Sequence, residues 1–152
     1  MSQSLSKLYI HLIFHIKKSA NTPILKEHRQ ELYAYIGTVI KDMDSQPILI
    51  NGTDDHIHIF CILSKNIALS LFAKDIKRHS SRWIKTRNNH YKNFTWQGGY
   101  AGFSVSLSFF NKTVDYIKNQ EEHHKKVTFR DEYLLFLKEH NIEFDENHLW
   151  NN

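Results

Sequence analysis

Ile48-Leu49-Ile50-Asn51-Gly52-Thr53-Asp54-Asp55-His56-Ile57-His58-Ile59-Phe60-Cys61-Ile62-Leu63 is the stretch on which the fold turns. Its ends are rich in β-formers and its middle, Gly52-Thr53-Asp54-Asp55, has turn chemistry. It therefore reads as a hairpin with strands Ile48 to Asn51 and His56 to Leu63. Strand side chains alternate between faces, so His56 and His58 project from the same one. Two imidazoles so placed can share a divalent cation, and a carboxylate at Asp54 or Asp55 can orient one of them. A surface pair on an open sheet face fits the same pattern, in a chain with 11 histidines.

Upstream of the hairpin, Leu5 to Ile16 alternates as a strand. Lys26 to Met43 has Leu32, Ile36, Val39, Ile40 and Met43 near helical spacing, and Pro47 marks a break after it. Downstream, Asn66 to Lys85 reads as a helix with Leu69, Phe72, Ala73, Ile76 and Trp83 on its apolar side. Asn88 to Gly102 is loop-like. Phe103 to Ser108 is a short strand, and Ser108 is placed to cap a helix from Phe109 to about His123. Phe110, Val114 and Ile117 face inward there. Thr128 is placed to cap a last helix, Phe129 to His140.

The order β-α-β-β-α-β, then helices, predicts an α+β fold of the ferredoxin-like, split βαβ kind. Its sheet is antiparallel, with helices on one face. The first and third strands would be central, carrying His11 and His15 on one and His56 and His58 on the other. With 152 residues and no repeat or internal linker, one domain over 1–152 is expected.

Apolar residues make up 41% of the chain, enough for a real core. The longest apolar runs, such as Ile57 to Leu63, are too short to span a bilayer, and the N-terminus lacks a secretory pattern. A bacterial cytoplasmic setting is expected, without membrane or organic cofactor. Cys61, the single cysteine, reads as a buried thiol. The net charge is +4, but Lys65 to Lys92 holds eight basic residues against Asp75. That stretch carries +7, which leaves −3 for the rest. Lys74, Lys77, Arg78, Arg82, Lys85 and Arg87 on or just after the helix suit a polyanion, or equally a solvated face. Trp96-Gln97-Gly98-Gly99-Tyr100 offers aromatic rings and open backbone to unpaired bases. The alternative is a packed loop with Trp96 in the core.

Tyr116 and Gln120 stand four apart in the helical stretch, and so share a face about one turn apart. A phenol can be a nucleophile and an amide oxygen a ligand. A tyrosine at the edge of the core is the ordinary alternative. His123-His124 suits the negative end of a helix dipole better than a metal.

Together these residues resemble the single-tyrosine HUH transposases of the insertion-sequence 200/605 family, which include the REP-associated tyrosine transposases. His56-Ile57-His58 is similar to the family's His-hydrophobe-His signature, and Tyr116-x-x-x-Gln120 to its nucleophile-and-ligand helix. Trp96-Gln97-Gly98-Gly99-Tyr100 and Phe103-Ser104-Val105-Ser106 resemble the segment before that helix. His123-His124-Lys125-Lys126, with Phe129, Glu132-Tyr133 and Phe136-Leu137, resembles its continuation. The likeness departs at Ala101-Gly102, where the glycine is expected first.

The resemblance implies a homodimer acting on single-stranded DNA with hairpins, in which the tyrosine helix can serve the partner's histidines. It implies that His56, His58 and Gln120 hold Mg²⁺ or Mn²⁺, and that Tyr116 attacks the phosphate to leave a 5′-phosphotyrosine. Lys74, Lys77, Arg78, Arg82, Lys85, Arg87, Trp96 and Tyr100 are the residues expected to bind DNA. A rolling-circle-type nicking enzyme would share the chemistry, and a domesticated hairpin-binding protein would keep the surface without it.

Overall fold

The structure is a computed structural model and describes residues 2–150. Strand β1 (Leu8–His15), helix α1 (Lys26–Asp42), strands β2 (Gln46–Gly52) and β3 (His56–Leu63), helix α2 (Leu69–Lys85) and strand β4 (Ala101–Val105) follow in that order. Helices α3 (Phe110–Lys118), α4 (Gln120–His124), α5 (Phe129–Glu139) and α6 (Glu146–Trp150) complete the chain. The strands form one antiparallel sheet in the order β2-β3-β1-β4. This is the split βαβ arrangement expected, with β1 and β3 at the centre.

Register fixes the chemistry of each face. His15 pairs with His56, Ile13 with His58, and His11 with Phe60. Directly opposed residues share a face, so four histidines gather on one side of the sheet. Leu12 pairs with Ile59 and Phe14 with Ile57, and these point to the other side. There they meet Leu32, Ile36 and Ile40 of α1 and Phe72, Ile76 and Ile84 of α2. In α1 the spacing of four makes one apolar stripe; in α2 the same row includes buried Ser80, whose hydroxyl donates to the Ile76 carbonyl and accepts from the Trp96 indole. Full burial of each apolar side chain stabilises by about 1.5–3 kcal/mol.

The split βαβ unit thus keeps α1 and α2 on one face, as expected. The chain then covers the opposite face too, which the strand and helix order alone leaves open. Phe129, Tyr133 and Leu137 of α5 bury on Ile13 of β1 and on Ala101 and Phe103 of β4. Leu149 and Trp150 of α6 pack beside them.

Several boundaries differ from expectation. Pro47 lies inside β2, at a register shift between Pro47 and Leu49. An edge strand tolerates it because one side of the strand needs no ladder hydrogen bond. The strand after the loop ends at Val105, and Leu107–Phe109 forms a tight turn instead. Ser108 is not a helix cap: its hydroxyl lies 3.0 Å from that of Ser106, and α3 starts at Phe110. The single helix expected to run to His123 breaks at Asn119 (φ −97°, ψ 23°). Thr128 does cap α5, accepting from the Asp131 amide at 3.2 Å.

Gly52 closes the hairpin at a point that admits no side chain. A Cβ there would stand 2.2 Å from the His56 carbonyl oxygen. Gly102 faces Leu69 at 2.8 Å from the same hypothetical atom, so the glycine of Ala101-Gly102 is held in place by packing. Cys61 is buried, and burial pushes its thiol up to about 12. Among the described residues no helix is long and apolar enough to cross a membrane.

Candidate functional site

The hairpin delivers His56 and His58 to the face that α3, α4 and α5 cover, and both imidazoles are fully buried. Each is held through the nitrogen that points away from the site. His56 Nδ1 lies 2.8 Å from Asp55 Oδ1 and 2.9 Å from Thr53 Oγ1. A carboxylate only accepts, so Nδ1 carries a hydrogen, and Nε2 is the nitrogen turned toward the site. Asp55 is thus the orienting carboxylate anticipated from its position. His58 Nδ1 lies 2.8 Å from His11 Nε2, so β1 steadies the second imidazole.

The other ring nitrogens converge on oxygens from the C-terminal helices. His56 Nε2 is 3.0 Å from Gln120 Oε1, and His58 Nε2 is 2.9 Å from Glu132 Oε1. His124 Nε2 lies 3.1 Å from Gln120 Oε1 and 3.3 Å from Glu132 Oε2. One ligand atom each from His56, His58, His124 and Glu132 falls within 4.8 Å of all the others. Gln120 itself is fully buried, carried there by the first turn of α4.

The donor set fits a divalent cation. His56 Nε2 faces the Gln120 amide oxygen at 3.0 Å, a contact that either a proton on Nε2 or a cation between the two satisfies. The Gln120 amide is held in this orientation from its other end. Its nitrogen already lies 3.3 Å from the Tyr116 carbonyl oxygen and 3.5 Å from Glu132 Oε2. Imidazole, carboxylate and amide ligands together suit Mn²⁺, Mg²⁺ or Zn²⁺.

Electrostatics favour a neutral His58 beside an ionised acid. Burial pushes His58 down to about 4, against the pull of Glu132. His11 is lowered as well, by burial and then by His58. Burial acts to raise Glu132, but hydrogen bonds from His124, His58 and the Tyr116 hydroxyl hold it well below the ordinary carboxylate range. For His124 burial is outweighed by Glu132, and its pKa is raised.

Tyr116, on the last turns of α3, is partly buried, and its hydroxyl donates to Glu132 Oε2. It also lies 3.3 Å from His123 Nε2. Burial, then Glu132, raises the phenol above its usual value. A cleft of about 370 Å³ opens on this ring, lined by Lys112, Thr113, His123, Glu132 and Phe136.

The expected DNA-binding residues divide. Lys74, Arg78, Arg82, Lys85 and Arg87 are exposed. Arg87 lies over the Trp83 ring at 4.7 Å, and Arg78 reaches Asp75 at 3.4 Å. Lys77 is not a free cation: its ammonium donates to the Gln97 carbonyl at 2.7 Å and to that of Gly99, and burial lowers its pKa to about 8. Trp96 is a core residue and not a stacking platform. It packs edge-on against Phe14 and Phe94, both at 4.8 Å, and its indole donates to Ser80 at 2.9 Å. Its loop is tied down by an isolated bridge to Ile16. Tyr100 stays half-buried and, with Lys74 and Arg78, lines a groove of about 460 Å³ beside α2.

Sequence reasoning misses Glu132 and misassigns His124. The available signal for Glu132 is a carboxylate on the apolar stripe of Phe129, Tyr133, Phe136 and Leu137, where an acid needs a partner. His124 does stand in the last turn of α4, but it follows Gln120 by four residues and so shares its side of the helix, which turns its ring toward the site.

Solved structures of other proteins share the fold. A candidate transposase from Deinococcus radiodurans R1 is 20% identical with a TM-score of 0.59, over 79% of this chain and 98% of that one. A REP-associated tyrosine transposase bound to a REP hairpin is 18% identical with a TM-score of 0.60, over 84% of this chain and 76% of that one. Curated protein sequences gave no match. The family model for the IS200-like transposases matches residues 4–120. That span runs from before the first strand to Gln120 and takes in the whole sheet, the paired histidines and Tyr116, so this chain belongs to the IS200-like transposase family.

Proposed function

We propose that the chain cleaves and rejoins single-stranded DNA with Tyr116 as the nucleophile and a divalent ion at His56, His58 and Gln120. The carrying observation is that the Tyr116 hydroxyl and the paired histidines meet at one polar cluster, beneath a cleft open to solvent. A bound Mg²⁺ or Mn²⁺ would offset phosphate charge and fix a non-bridging oxygen. Three imidazoles near the cluster favour Mn²⁺ over Mg²⁺ on ligand softness.

The chain's own residues do the rest. His11, Asp55 and Thr53 hold the two imidazoles by their outer nitrogens. The Tyr116 oxygen forms a bond to phosphorus as the bond to the 3′-oxygen breaks. The phenol's proton is matched by the proton that the released 3′-hydroxyl gains, so the step is neutral overall. The phosphotyrosine keeps the bond's energy, and a new 3′-hydroxyl can reverse the step without ATP.

The substrate is proposed to be a DNA hairpin with a single-stranded flank. The exposed cations of α2 and the groove at Tyr100 support this, as does the REP hairpin bound by the second fold relative. The working form is proposed to be a cytoplasmic homodimer of the single domain 1–152, because two DNA ends need two nucleophiles. The exposed β4 edge and Leu107, 71% exposed, suit a partner surface.

The test is incubation with end-labelled hairpin DNA and Mn²⁺ or Mg²⁺, resolved on a denaturing gel. A covalent protein–DNA band is expected with the wild type and none with Tyr116→Phe, a loss of at least about 10³-fold. Binding of the Phe variant should be unchanged. An adduct formed by Tyr116→Phe would give the nucleophile's role to another residue.

A further inference from the structure

The family match ends at Gln120, yet two of the four clustered ligand residues, His124 and Glu132, lie beyond it. Helix α5 reaches back over the sheet to put Glu132 there. Phe129, Tyr133 and Leu137 anchor the helix on β1 and β4, and Glu132 shares their inward side. An acid in that stripe is expensive unless something cationic meets it. Glu132 is only 2% exposed, and each ion pair it makes among the described residues is with a histidine.

Its two oxygens do different things. Oε1 is 2.9 Å from His58 Nε2 and 3.6 Å from His56 Nε2, on the side where a cation would sit. Oε2 accepts the Tyr116 hydroxyl and lies 3.1 Å from His123 Nε2. One carboxylate therefore touches both the ligand nitrogens and the nucleophile.

We infer that Glu132 is a ligand of the divalent ion and that its second oxygen holds the Tyr116 phenol against that ion. The inference rests on the proposed metal reading of His56 and His58. It makes the C-terminal helix part of the catalytic unit. A bridging carboxylate fixes the distance from nucleophile to ion, and in-line attack needs the reacting atoms within about 3–3.5 Å. An amide at the same place would keep the shape and lose the charge that makes a strong oxygen ligand.

The experiment is calorimetric titration of the full chain with Mn²⁺ alone, alongside adduct formation and hairpin affinity. Wild type should bind the ion, and His58→Ala should not. Glu132→Gln should weaken Mn²⁺ binding at least tenfold and slow adduct formation while leaving hairpin affinity within twofold. Equal Mn²⁺ affinity in wild type and Glu132→Gln would overturn the inference and leave the metal reading standing. Faster adduct formation by Glu132→Gln with unchanged Mn²⁺ affinity would also overturn it, since Glu132 would then be a plug. A wild type that binds no Mn²⁺ and works in EDTA would remove the metal reading itself, and the inference with it. Should Glu132→Gln fail to fold, Glu132→Asp keeps the charge that the histidines need. Its carboxylate stops one methylene short, so its Mn²⁺ affinity should fall tenfold, and unchanged affinity would again overturn the inference.

Discussion

The two faces of the central strands are made from alternate residues of the same short segments, yet they obey opposite rules. On one face Leu12, Phe14, Ile57 and Ile59 meet α1 and α2, and every one is fully buried. On the other, His11, His15, His56 and His58 are buried almost as deeply, at 9% exposure or less. The dry face needs only volume and shape. The histidine face must accommodate polar rings, and His56 and His58 draw hydrogen-bond partners from His11 on β1, the hairpin turn, α4 and α5. Burial on one face is therefore stabilising by itself, while on the other it stores chemistry that tertiary partners must satisfy.

The contrast predicts a division of effects. Phe14→Ala should cost about 3–5 kcal/mol of stability, read by urea unfolding, because it opens a cavity in a well-packed core. His58→Ala should leave the fold standing and lower adduct formation by about 10³-fold, as should EDTA on the wild type. If EDTA leaves full activity, the histidine face is structural. If His58→Ala unfolds the chain as readily as Phe14→Ala, the two faces do not differ in kind.

How much of this is legible in the sequence follows the same division. The hairpin, the strand order and the apolar face are readable because alternation and a spacing of four are local signals. Asp55 is readable as an orienting group because it adjoins His56. Glu132 is readable only as an acid on an apolar stripe; that it meets His58, 74 residues away, is not, since no local pattern links them. The helix break at Asn119 is equally hidden, because Asn119 is no strong breaker and the carbonyls of Ile117 and Lys118 just before it are taken by the distant Asn51 side chain. Trp96 is ambiguous for a different reason: a loop tryptophan can stack or pack, and only the bridge to Ile16 and the Ser80 hydroxyl decide in favour of packing.

A second, smaller test concerns pH. His15 is buried among Phe129, Tyr133 and Trp150, and burial lowers it from 6.5 to about 4. The unfolded chain therefore takes up this proton first as pH falls. Stability is fully present above 6.5, is lost from there down to about 4, and changes no further below that on this account. The loss from this group is at most about 3 kcal/mol. His15→Phe should flatten the urea midpoint between those pH values without abolishing its slope, because His11 and His58 are lowered too. The same slope in the variant and the wild type would mean that His15 is already solvated in the native state.

The smallest expected effect sharpens the comparison at the outer surface of the dry face. There α2 turns its cations to solvent, and the structure separates them into two kinds. Lys74, Arg78 and Arg82 are exposed, whereas Lys77 clasps the 97–99 loop through two carbonyl oxygens. Each phosphate that is no longer neutralised should flatten the dependence of log affinity on log salt by about 0.7 on single strands and about 0.9 on duplex DNA. Replacing Lys74, Arg78 and Arg82 together with Ala should flatten the slope for a labelled hairpin by about 2 to 3, with stability near wild type. Lys77→Ala should do the reverse: it frees the loop and lowers the thermal midpoint, and it leaves the salt slope almost unchanged. A salt slope that moves with Lys77 alone would mean that the loop opens on binding and releases this cation to the DNA. A slope that moves with none of the four would leave the basic helix merely solvated, and the DNA would have to be held on the histidine face alone.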